Sequence, residues 1–131
     1  ISRILSMLNY IGLSYLTLVK ILTTLSGGEQ QRLKLAVELL KNKGKCNLYL
    51  IDEPTIGLHP LDVERLLVLF ERIIESGNTL IVIEHNLQVI KHSDYVIDLG
   101  PGGGKDGGTV IAEGTPKDLS LNPCSITGKY L

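Results

Sequence analysis

Ile4, Leu5, Leu8 and Ile11 recur at the spacing of one helical face, so a short amphipathic helix ending near Gly12 is predicted at the start of the chain. A less regular link over residues 13–24 follows. Ser26 with Glu29 three positions later is a capping-box pattern, and Leu33, Ala36, Val37 and Leu40 then trace one face of a helix that should stop around Gly44. The continuous apolar runs "LYLI" (48–51) and "TLIVI" (79–83) fit strands buried on both faces of a parallel sheet. Between them Leu66, Leu67, Phe70, Ile73 and Ile74 repeat at helical intervals, started by Pro60 and stopped by Gly77. Strand, helix, strand is the crossover unit of an α/β fold. Beyond His85 the pattern predicts a short helix over about 87–92. Two further strands, "YVID" (95–98) and "TVIAE" (109–113), are expected to pair across the link "GPGGGKDGG", and another helical turn starts at Thr115 and Pro116 near Leu119. The tail "NPCSITGKYL" carries no clear period.

Composition narrows the classes. With 131 residues and 44% hydrophobic content the chain suits one globular body or part of one. Thirteen basic residues against 14 acids give a net charge of -1, so no bulk positive field points to nucleic acid or to an anionic membrane. No apolar run reaches the roughly 18 residues needed to cross a bilayer, and the first residues lack the order of a signal peptide. Cys46 and Cys124 form no C-x-x-C or Cys/His cluster, which reads as reduced thiols in a cytoplasmic protein with no zinc site in this stretch. The start at Ile1, without methionine, suggests a piece cut from something longer, although a processed N-terminus would look the same.

Three short strings carry candidate chemistry. "LSGGEQ" places Gly27 and Gly28 in the opening turn of a helix, where unpaired N–H groups and partial positive charge favour an anion and glycines let a phosphate come close. For "SGG" alone an ordinary capped helix is the commoner use. "LYLIDEPT" leaves Asp52 and Glu53 side by side at the carboxyl end of a strand, the edge where open α/β sheets bind ligands. Asp52 suits a Mg²⁺ ion and Glu53 a base or orienter for a water attacking a phosphoryl group, the alternative being a solvated acidic pair. In "VIEHNL", His85 ends the next strand, on the same rim if the two strands are parallel. There it could hydrogen-bond a terminal phosphate or serve merely as a polar cap.

In the order "LSGGEQ", "LIDEP", "IEH", these strings resemble the signature, Walker B and switch-histidine motifs of the ATP-binding cassette (ABC) ATPases. "DEPTIGLH" (52–59) is similar to the form found in the damage-sensing ATPase subunits of the bacterial excinuclease, where most transporter cassettes have "ALD". "VIEHNLQVIKHSDYVIDLGPGGGKDGG" and the closing "ITGKYL" look like the C-terminal end of the same subunits, and the resemblance runs from Ile4 to Leu131. It implies an α/β, P-loop NTPase-like ABC ATPase domain, represented over 1–131 by its C-terminal portion, with a largely parallel sheet flanked by helices and a C-terminal hairpin. Ser26, Gly27, Gly28, Glu29 and Gln30 would face the γ-phosphate of ATP held by an opposing cassette. Asp52 would be the Mg²⁺ aspartate, Glu53 the hydrolytic glutamate and His85 the switch histidine, while Gly57, Leu58 and His59 would form the loop that meets its counterpart across the cassette interface. The implied partners are lesion-bearing double-stranded DNA, UvrB, the opposing cassette and a second copy of the subunit, with zinc expected only in upstream modules and no membrane. The rival readings are a transporter cassette, against which "IGLH" in place of "ALD" counts, and a non-catalytic truncated chain.

Some positions depart from the family. The phosphate-cradling loop G-x-x-x-x-G-K followed by Ser or Thr is absent, since in "GPGGGKDGG" Lys105 is followed by Asp106. That loop belongs upstream of Ile1, so this chain alone should bind ATP poorly and hardly hydrolyse it. Val19, Lys20 and Ile21 stand where Gly-Gln-Pro is usual, and Ile56 where a second Thr is. Lys41, Lys43 and Lys45 suit a solvated helix end better than a DNA contact, and His92 should be exposed.

Overall fold

The helix that opens at the glycine pair runs over Gly27–Lys41 (α1), as its periodicity predicts. The computed structural model describes residues 5, 6, 8, 9, 13, 25, 27–41, 46–102, 104 and 107–131. Residues 5, 6, 8 and 9 are helical, and the Leu13 N–H returns to the Leu8 carbonyl at 3.0 Å, while the predicted helix end near Gly12 lies outside the described residues. Ser26, and with it the predicted capping box, lies outside the described residues, as do most of the 13–24 link, Lys43, Lys45, Lys105 and Asp106.

The apolar runs form strands Leu48–Asp52 (β1) and Thr79–Ile83 (β2), joined by the helix Pro60–Glu75 (α2). β1 and β2 pair in parallel, Leu48 opposite Thr79 and Asp52 opposite Ile83. α2 starts as expected at Pro60, whose fixed φ and missing N–H suit a first turn, with His59 as the cap. It buries Val63, Leu66, Leu67, Leu69, Phe70 and Ile73, each worth about 1.5–3 kcal/mol when withdrawn from water. Ile74, predicted on this face, is instead 44% exposed: it follows Ile73 by 100° of helical turn, and the stripe through Leu66, Leu69 and Ile73 already fills the contact. Gly77 ends the segment with a φ of 84°, a left-handed conformation that glycine takes without strain. The buried Asn78 then staples helix to sheet. Its amide donates to the Ile73 carbonyl at 2.9 Å and its Oδ1 accepts the Asn47 N–H at 3.1 Å, while the Thr79 N–H reaches the Asn47 carbonyl at 2.9 Å.

One expectation is corrected here. The strands were expected to be buried on both faces, but Leu48 and Leu50 are 59% and 72% exposed and Ile81 and Ile83 are 51% and 63% exposed. Alternation along paired strands puts these four on one face, with Ile51 buried on the other. α2 packs against β2, and among the described residues no second layer covers the opposite side.

Two compact units divide the chain, Ile1–Glu84 and His85–Leu131. The second begins with the short helix Leu87–His92 (α3), capped by Asn86, whose Oδ1 accepts the Gln88 N–H at 2.9 Å. His92 is exposed, as expected. Strands Val96–Gly100 (β3) and Thr109–Gly114 (β4) form the predicted antiparallel hairpin, with a register shift between Asp98 and Leu99. The final helix, Pro116–Leu121 (α4), opens on a full capping box: Thr115 Oγ1 accepts the Asp118 N–H and Asp118 Oδ2 accepts the Thr115 N–H. The aperiodic tail is also tied down, through a 3₁₀ turn at Thr127–Tyr130 and the Asp98 carboxylate. Asp98 Oδ2 accepts the Ser125 hydroxyl at 2.6 Å and the Thr127 N–H at 3.2 Å, and Oδ1 accepts the Thr127 hydroxyl at 2.8 Å. These are the elements of an α/β chain with a parallel strand pair and a C-terminal hairpin.

Candidate functional site

Asp52 is the last residue of β1 and is exposed, while Glu53, half-buried, begins the loop that leads to α2. The apolar run thus delivers both carboxylates to the carboxyl end of a strand whose partner is parallel, the edge on which α/β sheets place ligands. The loop is wound tightly. Glu53 has a φ of 43°, the only positive value at a non-glycine among the described residues. Such a conformation costs of order 1–3 kcal/mol and persists where neighbours enforce it. Here they do: the Glu53 N–H donates to the Ile83 carbonyl at 2.9 Å, extending the parallel ladder by one rung.

Every carbonyl from residue 53 to residue 56 has a donor. Glu53 accepts from the Ile56 N–H at 3.3 Å and Thr55 from the Leu58 N–H at 3.0 Å. Pro54 and Ile56 accept from Nη1 of Arg32, in α1, at 2.8 and 3.3 Å. The Thr55 N–H is taken by the Glu84 carboxylate at 2.8 Å, from the residue that follows β2. Pro54 and Thr55 are buried by this arrangement, and Gly57 completes the turn with a φ of 73°. His59 ends the loop by capping α2, its Nδ1 accepting the Leu61 N–H at 3.4 Å.

Of the signature residues, Gly27, Gly28, Glu29 and Gln30 form the first turn of α1, and Ser26 lies outside the described residues. Glu29 is buried, and the Gln30 amide turns back to donate to the Leu25 carbonyl at 3.1 Å. The buried side of α1 runs through Glu29, Arg32, Leu35 and Ala36, whereas Val37, expected on the apolar face, is 39% exposed. The shift arises because Arg32 faces inward to the loop after β1. Sequence reasoning missed Arg32 and Glu84 because a polar residue on a helix or at a strand end counts as solvent-facing. A polar pair at the i, i+3 spacing of Glu29 and Arg32 was the available signal.

Within the first unit, hydrogen bonds thus tie α1, through Arg32, and the end of β2, through Glu84, to the loop that follows Asp52 and Glu53. His85, exposed, is the first residue of the second unit and follows Glu84 directly in the chain. Among the described residues no group of three or more His, Cys, Asp or Glu side chains stands together as a metal cage. A Mg²⁺ ion requires none, because it keeps several waters and takes one or two carboxylates plus phosphate oxygens. The exposed Asp52 at a strand end fits that donor set. Cys46 and Cys124 are both exposed free thiols. No helix among the described residues is long and apolar enough to cross a membrane.

Along its whole length the chain is similar to known proteins. The ABC transporter family profile matches residues 1–56. UvrABC system protein A of Staphylococcus aureus (strain COL) is 54% identical over 131 residues, all of this chain and 14% of that protein. Among solved structures, UvrA2 from Deinococcus radiodurans superposes with a TM-score of 0.88 at 47% identity, over 98% of this chain and 16% of that one. MJ1267, an ATP-binding cassette of an ABC transporter in its ADP conformation, matches with a TM-score of 0.57 at 19% identity, over 98% of this chain and 49% of that one, a likeness of fold alone. The chain thus spans about a seventh of the UvrA proteins it matches. With identity of this order along its entire length, and the cassette fold beneath it, the chain belongs to the UvrA family of ABC-type ATPases.

Proposed function

We propose that this chain is the C-terminal part of the second ATP-binding cassette of a UvrA-type excinuclease subunit, which uses ATP to bind damaged DNA and load UvrB. The observation that carries the reading is the acidic pair Asp52 and Glu53 at the carboxyl end of a strand in a parallel pair, on a loop held by hydrogen bonds from both sides.

In this reading Asp52 would hold Mg²⁺, which when bound would offset charge on the nucleotide phosphates. Glu53 orients or deprotonates the attacking water, and its enforced backbone fixes where the carboxylate leaves the chain. His85 donates a hydrogen bond to the terminal phosphate. Ser26, Gly27, Gly28, Glu29 and Gln30 offer backbone N–H groups at the start of α1 to a nucleotide held by the opposing cassette. Gly57, Leu58 and His59 meet their counterparts across that interface. ATP then clamps two cassettes and hydrolysis releases them, a coupling of ligand to domain closure. The working subunit is a cytoplasmic homodimer on lesion-bearing duplex DNA, and residues 1–131 form one partial cassette within it.

The test is Glu53→Gln in the full-length protein. ATP binding should persist while turnover falls about 10²-fold or more. Turnover at the unaltered rate would overturn the assignment. The 131-residue chain by itself, which has no phosphate-cradling loop, should hydrolyse no ATP above background.

A further inference from the structure

A guanidinium 2% exposed is unusual in a helix stripe, because a buried cation is costly unless hydrogen-bonded. Arg32 meets part of that requirement, through Nη1, with backbone carbonyls. One nitrogen, Nη1, donates to both Pro54 at 2.8 Å and Ile56 at 3.3 Å. These are the two carbonyls of the 53–56 stretch that the loop's own N–H groups leave to others, since Ile56 and Leu58 serve Glu53 and Thr55. Arg32 therefore completes the loop, and it reaches it from the helix whose first turn contains Gly27 and Gly28. Four residues of helix separate Gly28 from Arg32, about 6 Å of rigid rod.

We infer that Arg32 is a positioning residue that couples the two nucleotide half-sites of the cassette, tying the helix whose start receives the partner's phosphate to the loop that sets Glu53 for the cassette's own nucleotide. The inference rests on the function proposed above. A displacement of α1 on phosphate contact is passed through the Arg32 hydrogen bonds to Pro54, the residue bonded to Glu53. A lysine can reach one of the two carbonyls as a point donor, whereas methionine fills the space and donates nothing.

The experiment compares full-length protein with Arg32→Met and Arg32→Lys. It follows ATP turnover, binding of a fluorescent ATP analogue, and amide exchange at Glu53, Thr55 and Ile56. Arg32→Met should lower kcat about 10–100-fold, the effect of a misplacement of about 1 Å, with KM and analogue binding within about twofold. The three amides should exchange faster, and Arg32→Lys should recover part of both losses. Unchanged kcat in a folded Arg32→Met protein with faster exchange overturns the coupling, as does a parallel loss of analogue binding. If Arg32→Met fails to fold, Arg32→Lys decides: kcat equal to that of the unaltered protein overturns the inference, and an intermediate kcat with unchanged KM supports it. Absence of ATP turnover in the unaltered protein would instead sink the proposed function, and the inference with it.

Discussion

The Glu84 carboxylate accepts the Thr55 N–H at 2.8 Å, so the residue after β2 holds the loop that follows β1. A glutamine keeps an acceptor oxygen at this place and an alanine keeps none. Glu84→Ala should therefore destabilise the first unit by about 1–3 kcal/mol and speed amide exchange at Thr55, while Glu84→Gln loses less than half as much. Chemical denaturation and site-resolved exchange measure both quantities. Equal losses from the two variants would show that the hydrogen bond is not what Glu84 contributes.

Asn78 joins the end of α2 to the start of the parallel pair through the Ile73 carbonyl and the Asn47 N–H. Asn78→Ala leaves both backbone groups without this side chain, and about 2 kcal/mol of stability should go with it. Asn78→Asp retains the acceptor toward Asn47 but loses the donor toward Ile73, and should fall between. Thermal melts of the three proteins under identical conditions give the order.

Acid should loosen the tail. Burial pushes the Asp98 carboxyl up, but hydrogen bonds from the Ser125 and Thr127 hydroxyls and from the Thr127 and Ile126 N–H groups outweigh it and hold it below its ordinary value. A carboxylate depressed in the folded state adds stability that is present above its unfolded pKa and fades as pH falls toward the folded one. The Asp118 carboxyl, lowered first of all by its Thr115 hydrogen bond, titrates in the same sense. Protection of the Ser125–Gly128 amides should thus be flat at neutral pH and decline below about pH 4, and Asp98→Asn should remove most of that decline. A decline that persists unchanged in Asp98→Asn contradicts the assignment.

Gly128 is the second anchor of the tail. Its N–H donates to Ser125 Oγ at 2.7 Å, and a Cβ placed on it would overlap the Leu119 carbonyl. Gly128→Ala should cost about 1–3 kcal/mol and expose 122–131 to limited proteolysis before the rest of the chain. Cleavage of the tail at the unaltered rate would show that the turn re-docks without that close approach.

Elements with strong periodicity were legible in advance. β2, α3 and the start of α2 lie where their patterns put them, because apolar spacing and Pro, Gly and His markers act locally. The Asp52–Glu53 pair was legible for the same reason: four apolar residues before it demand a strand, and the carboxylates must then fall at its end. Arg32, Glu84, Asn78 and Asp98 were not, since each polar side chain is held by a partner 5 to 31 residues away in sequence, and no periodicity encodes such a contact. Ile74 and Val37 misled because a single apolar residue beside a buried stripe looks the same whether or not it is covered.

The open side of β1 and β2 has a practical outcome at the bench. A ribbon with Leu48, Leu50, Ile81 and Ile83 in contact with water behaves as an adhesive strip, taking up hydrophobic dyes and preferring dilute, low-salt solution. Expression trials should therefore judge this polypeptide by how it keeps in solution as much as by how it folds.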